Sequence, residues 1–193
     1  MTVVPVTEDE RPWLSADRVW TVDDLAELPD DGLRYELFDG VLVVNAAPYP
    51  RHQSALLGMA VLLRDACPPD LKVFVAPLDF QPNRVRSFQP DVLVLRRDRI
   101  GDKQAVEHPP VLAVEILSNS TRSVDLVWKR AMYASSGVAH YWTFDPVEDK
   151  AEFVASELVD GVYREVARAA GSESVRVARP FPVDVRPDRI AAG

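Results

Sequence analysis

The sequence predicts a mixed α/β (α+β) domain, from three observations. Apolar residues alternate with polar ones over some short runs and recur at the helical period in others. Two Asp-Gly pairs, Asp39-Gly40 and Asp160-Gly161, stand between strand-like runs and mark tight hairpins. The segments follow the order helix, strands, helix, strands, helix, strands, without an internal repeat or a low-complexity stretch. With 193 residues, 47% of them hydrophobic, the chain has the size of one domain with its own core.

Residues 1–17 mix proline, threonine and acidic side chains without periodicity and read as an N-terminal tail, which leaves 18–193 as a single domain. Thr21-Val22-Asp23-Asp24 has the form of a capping box and opens a short helix that Pro29-Asp30-Asp31-Gly32 ends. Arg34–Phe38 and Val41–Asn45 are strands around Asp39-Gly40, and Pro48–Pro50 is a break. From His52 to Ala66 the positions Ala55, Leu56, Met59, Ala60 and Leu63 keep the helical period until Cys67-Pro68-Pro69 stops it. Lys72–Ala76, Leu78–Gln81 and Asp91–Leu95 read as strands, with Pro82-Asn83 as a turn. Residues 96–110 are charged and read as a loop, and Val111–Leu117 is a buried-type strand. A helix over Thr121–Ser135 is expected to bury Val124, Val127, Trp128 and Ala131, with Gly137 suited to its C-terminal turn. Ala139–Phe144 is a strand, Glu152–Leu158 and Val162–Val166 form the second hairpin, and Val175–Val177 and Pro182–Val185 are the last strands. Trp128, Tyr141 and Trp142 read as core aromatics.

Charge and composition narrow the function. Thirty acidic against 22 basic residues give a net charge of −8, a deficit for any protein that holds nucleic acid by neutralising phosphates. Arg84, Arg86, Arg96, Arg97 and Arg99 are the densest basic stretch, either a local patch or a solvated loop. The longest uncharged apolar run, Ala55–Leu63, is far shorter than the ~20 residues of a membrane helix. The N-terminus lacks the basic start and apolar centre of a secretory signal. A lone cysteine, Cys67, makes neither an internal disulfide nor a thiolate metal site. The expectation is a soluble cytoplasmic protein without membrane contact.

Glu115 is the sharpest anomaly. It lies between Val114 and Ile116, and its neighbours on the same strand face, Ala113 and Leu117, are apolar. A buried carboxylate needs a partner, and a hard cation is a common one; the alternative is an edge strand with Glu115 in water. Asp91 follows Pro90 and leads into Val92–Leu95, as a turn residue at a strand entry or as a second ligand. Together, Pro90-Asp91 and Glu115 in the next apolar strand resemble the PD-(D/E)XK nuclease pattern, in which adjacent strands supply acids to a divalent metal. That superfamily carries a lysine two residues after the glutamate, where this chain has Leu117. Lys129, on the following helix, shares an i, i+4 row with Asp125 and Tyr133. It reaches the same site if that helix packs on the strand of Glu115; otherwise it is a solvated lysine paired to Asp125.

Further blocks extend the likeness. RYELFDG, PYPRHQ, VFVAPLDF, QPDVLVL and VEILSNSTRSVDLVWKRAMYASSGVAHYW, in that order between Thr21 and Pro146, resemble the bacterial putative restriction endonuclease family of the PD-(D/E)XK superfamily. The resemblance implies a restriction-endonuclease-like core, a mixed β-sheet flanked by helices. It also implies Asp91 and Glu115 as metal-binding carboxylates, Lys129 as the migrated lysine and Glu36 as a supporting acid. The family's second acid, just after the Asp-Gly turn, is replaced by Val41. His52-Gln53 matches the family's His-Gln dipeptide, and His52 is either structural or an auxiliary group near phosphate or a metal-bound water.

The function implied is a metal-dependent endonuclease that hydrolyses nucleic-acid phosphodiester bonds, with DNA as the expected substrate and a homodimer as the expected assembly. Mg²⁺ (or Mn²⁺) would sit on Asp91, Glu115 and the backbone carbonyl of Ile116, with Glu36 in support and Lys129 beside the phosphate. The alternative is a nuclease-like fold used for binding or assembly without catalysis, which the acidic balance and the missing strand lysine favour. Loss of either carboxylate is expected to leave the fold intact by relieving repulsion between clustered acids.

Overall fold

The computed structural model describes residues 18–45, 49–102, 105–118, 124–147 and 150–192. The expected tail over 1–17, the expected helix start at Thr121 and the side chains of Val124 and Asp125 lie outside the described residues. Thr21 caps α1 (Val22–Leu25) through the expected reciprocal box: its N–H donates to the Asp24 carboxylate at 2.8 Å while its hydroxyl accepts the Asp24 N–H. β1 (Arg34–Phe38) and β2 (Val41–Asn45) pair antiparallel around Asp39 and Gly40, whose φ values of 51° and 83° belong to the mirror-image turn that follows the strand twist. α2 (Pro50–Ala66) starts on a proline, which has no N–H to leave unpaired, and buries His52, Ala55, Met59 and Leu63. Four strands follow, β3 (Leu71–Val75), β4 (Asp79–Asn83), β5 (Arg86–Phe88) and β6 (Val92–Arg96), and then β7 (Ala105–Val106) and β8 (Leu112–Ile116). A π-helical turn over Val124–Lys129 runs into α3 (Arg130–Ser135). The remaining elements are β9 (His140–Asp145), β10 (Glu152–Val159), β11 (Val162–Ala170), β12 (Val175–Val177), β13 (Val183–Val185) and α4 (Pro187–Ala192).

The larger sheet has the order β11-β10-β9-β8-β6-β3, the smaller β2-β1-β5-β4-β7, and β12–β13 pair separately. Within the larger sheet β8 and β9 are parallel and the other pairs antiparallel. Parallel neighbours cannot be joined by a hairpin, so the chain crosses over through the π turn and α3. That crossover sets the helix against β8.

Alternation along β8 divides its side chains between two cores. Leu112, Val114 and Ile116 join Met59, Leu63, Trp142, Phe153 and Ile190 on the side of α2 and α4. Ala113 joins Phe38, Phe80, Phe88, Tyr133, Tyr141 and Tyr163 on the side of α3 and the smaller sheet. Each such aliphatic or aromatic side chain contributes about 1.5–3 kcal/mol on burial, so β8 is clamped from both sides. The second core is ring on ring, with Phe88 and Tyr133 centroids 5.4 Å apart at 77° and Tyr133 and Tyr141 5.5 Å apart.

The segment after β8 presents the face opposite to the one its apolar spacing predicts. Val127 and Trp128 are 62% and 50% exposed, Ala131 is exposed, and Lys129 and Tyr133 are buried. A π turn takes more residues per turn than an α-helix, so a 3.6-residue period assigns the wrong face. Trp128 is therefore no core aromatic; its ring packs 6.1 Å from Phe38 with one side open. Tyr141 and Trp142 are core residues as expected. The turn expected at Pro82-Asn83 falls later, because β4 continues through Asn83, whose Oδ1 accepts the Val85 N–H at 3.0 Å. β5, β7 and α4 fall outside the sequence expectation.

Candidate active site

β6 and β8 pair antiparallel with Val92 opposite Val114. One residue beyond that pair stand Asp91 and Glu115, which brings the two acids side by side at one end of the sheet. Glu36 comes from β1 of the smaller sheet, His52 from the first turn of α2 and Lys129 from the end of the π turn. All are buried, with exposures of 1% for Glu36, 2% for Asp91 and Glu115, 4% for Lys129 and 8% for His52. The solvent-facing alternatives for Glu115 and Lys129 are thus excluded, and the partner weighed for Lys129, Asp125, lies outside the described side chains.

Lys129 Nζ lies 3.2 Å from each carboxylate oxygen of Glu115 and 3.2 Å from Glu36 Oε1. The Tyr133 hydroxyl donates to Glu115 Oε1 at 2.6 Å. Glu36 accepts Asn45 Nδ2–H on Oε2 and the Gln89 N–H on Oε1, both at 2.8 Å. Asp91 Oδ2 accepts the Ile116 N–H at 2.8 Å and lies 3.1 Å from His52 Nε2, while Oδ1 accepts from Arg34 Nη1 at 3.2 Å. Arg34 is itself anchored, donating from Nε to Gln89 Oε1 at 2.7 Å and from Nη2 to the Gln89 carbonyl at 3.1 Å.

The electrostatics follow from this packing. Burial pushes the Asp91 carboxyl up, but the His52 hydrogen bond and the charges of His52, Arg34 and Lys129 outweigh it and leave Asp91 below the usual carboxylate range. Burial raises Asp79 above that range, only partly offset by its bond from Gln89. Tyr133 is held far above the usual phenol value, first by burial and then by the charges of Glu115 and Glu36. Burial disfavours the Arg34 charge, but Asp91, Glu36 and Glu115 together hold its guanidinium above the ordinary value. The buried acids are thus paired with cations and do not simply repel one another. Removing Asp91 therefore does not relieve strain, which corrects that sequence expectation.

Sequence reasoning overlooks Arg34, Asn45, Gln89 and the role of Tyr133. Two of them carried a signal: Arg34 stands two residues before Glu36 on the same strand face, and Tyr133 one turn after Lys129. Of the five arginines left open between a basic patch and a solvated loop, three are engaged by acids, Arg84 with Asp23, Arg86 with Asp39 and Arg96 with Asp98. Arg84 and Arg96 are exposed, as the solvated loop implies. A cleft of about 280 Å³ opens beside Asp91, lined by Arg34, His52, Gln53 and Gln89 together with Leu56 and Pro77.

Among the described residues, no group of three or more His, Cys, Asp or Glu side chains is placed to hold a metal ion. The donor set is compatible with a different arrangement. Mg²⁺ takes one or two carboxylates and keeps water or phosphate oxygens for its other positions, and Asp91 and Glu115 on neighbouring strands are hard oxygen donors of that kind. Three buried carboxylates here face the basic side chains of Arg34 and Lys129, so further positive charge suits the site.

The family model described as Uma2, putative restriction endonuclease, matches residues 22–191. The chain belongs to the Uma2 family. The fold of this Uma2 chain is also that of a crystal structure described as a putative nuclease belonging to DUF820 from Anabaena variabilis ATCC 29413. The two share 17% identity over 89% of this chain and 97% of the other, with a TM-score of 0.68. This likeness shows the fold, an α+β restriction-endonuclease-like core with a mixed sheet flanked by helices. No curated protein matches the chain. Among the described residues no helix of this Uma2 protein is long and apolar enough to cross a membrane.

Proposed function

We propose that this Uma2 chain is a metal-dependent endonuclease acting on nucleic-acid phosphodiester bonds, with DNA as substrate. One observation carries the reading: Lys129 Nζ lies buried 3.2 Å from both oxygens of Glu115, where it would stand in for the lysine that Leu117 displaces from the strand. Asp91 and Glu115 are the residues that hold Mg²⁺ or Mn²⁺, with the Ile116 carbonyl as a further oxygen and Glu36 in support. Such an ion would polarise the phosphate and lower the pKa of a water so that it can lose its proton and attack the phosphorus. The Ile116 N–H and Arg34 fix the Asp91 carboxylate and the Tyr133 hydroxyl fixes Glu115, so both acids are oriented before substrate arrives. Lys129, a compact cation on a flexible stem, neutralises charge that develops on the phosphate oxygens. His52 is auxiliary and steadies Asp91. Cutting both strands of a palindromic site in one event would take two such sites, and for that case the reading carries a homodimer with it.

A binding or assembly module without catalysis is the second reading. Arg84, Arg86 and Arg96, engaged with acids and not turned to phosphate, favour it. Calorimetric titration with Mn²⁺ separates the two. Binding by the wild type that is lost in Glu115→Gln supports the enzyme, and no binding by the wild type leaves the module.

A further inference from the structure

We infer that Lys129 occupies the cation position of Glu115 in the metal-free protein and gives it up when a divalent ion binds, so that loading the metal and turning the ammonium toward substrate are one exchange. This rests on the metal-dependent reading above and deepens it.

The geometry of the ammonium is the first reason. Nζ stands 3.2 Å from both oxygens of Glu115 and 3.2 Å from Glu36 Oε1. Directed charge-assisted bonds are shorter, about 2.7–2.9 Å. Lys129 thus sits as a shared point charge over the carboxylate edge that a metal ligand must present. The second reason is the contrast between the two cations. Arg34 is tied through Nε and Nη2 to Gln89, away from the oxygens it neutralises. Lys129 instead contacts Glu115 and Glu36 with its only charged atom, from a four-carbon stem at the end of a π turn, a feature common at functional sites. The third reason is charge. A dication on Glu115 repels an ammonium at that distance, and Glu36 or an incoming phosphate is the acceptor to which it turns.

Two cations that share one carboxylate compete. Replacing Lys129 therefore tightens metal binding even as it removes a group needed for cleavage, whereas a lysine that only props up the site would weaken binding when lost. The test titrates MnCl₂ into the wild type, Lys129→Met and Glu115→Gln by calorimetry. The exchange predicts affinity about tenfold or more higher in Lys129→Met than in the wild type. Equal or weaker binding by Lys129→Met overturns the exchange, and the metal-dependent reading stands if the wild type binds and Glu115→Gln does not. No binding by either wild type or Lys129→Met overturns that reading and the exchange with it. Because Lys129→Met leaves Glu36 and Glu115 without their ammonium, the wild type carries a second readout. With ¹³C,¹⁵N-labelled lysine, the side-chain signals come only from Lys72, Lys103, Lys129 and Lys150. The Lys129 signal moves on Mg²⁺ addition with the calorimetric midpoint; a Lys129 signal unchanged at saturating Mg²⁺ overturns the exchange.

Discussion

The Tyr133 hydroxyl donates to Glu115 Oε1 at 2.6 Å, and both groups are buried. Burial and the neighbouring acids hold the phenol far above its usual pKa, so Tyr133 remains a donor throughout the neutral range. Tyr133→Phe keeps the ring packing against Phe88 and Tyr141 and removes only this bond. The expected result is a stability loss of about 1–2 kcal/mol in urea denaturation and metal affinity lower by about 10–100-fold in calorimetry. Unchanged affinity would assign Tyr133 to packing alone.

Asp91 makes the acid limb of stability steeper. Its folded-state pKa lies below the unfolded value, so the unfolded chain takes up the proton first. The stabilisation is fully present above the ordinary Asp pKa of about 3.9 and is lost as pH falls through the lower folded value. Urea midpoints measured from neutral to acid pH should fall below about pH 4 in the wild type and fall less steeply in Asp91→Asn. Parallel curves for the two proteins would contradict the pairing with His52 and Arg34.

Asp91→Ala should cost more than its asparagine counterpart. It leaves the Ile116 N–H and the Arg34 guanidinium without their acceptor beside a buried carboxylate position. The expected loss is about 2–4 kcal/mol, read from the thermal midpoint or a denaturant curve. Activity comparisons are therefore best made with Asp91→Asn and Glu115→Gln, which keep the shape of the site.

The contact between α2 and α4 has its own test. A Cβ built on Gly58 would lie 2.6 Å from the carbonyl oxygen of Ile190, a backbone atom that cannot swing aside. Gly58→Ala should lower stability by about 1–3 kcal/mol despite the better helix propensity of alanine. A gain in thermal midpoint would show that α4 does not rest on α2 in solution.

Much of this arrangement was legible in the sequence for physical reasons. The Asp-Gly hairpins stand where expected because left-handed turn residues are written locally. Glu115 was conspicuous because a carboxylate flanked by apolar strand residues is costly to bury without a partner. The facing of Val127, Trp128 and Lys129 was not legible, because a π turn breaks the period by which helix faces are read. Gln89 and Asn45 were not legible either. Their partners Arg34, Glu36 and Asp79 lie on strands that only pairing brings together, and an amide in a strand looks the same whether it meets water or a carboxylate. β5 and α4, at three and six residues, are too short to establish a period.

Nicking of supercoiled plasmid in Mg²⁺ or Mn²⁺ buffer, by the wild type beside Glu115→Gln and Lys129→Ala, tests the proposed chemistry most directly. Relaxation that requires the metal, stops with chelator and falls by at least about a hundredfold in both variants is the predicted result. Cleavage that survives in Glu115→Gln, or a well-folded wild type that leaves the plasmid intact, would contradict it.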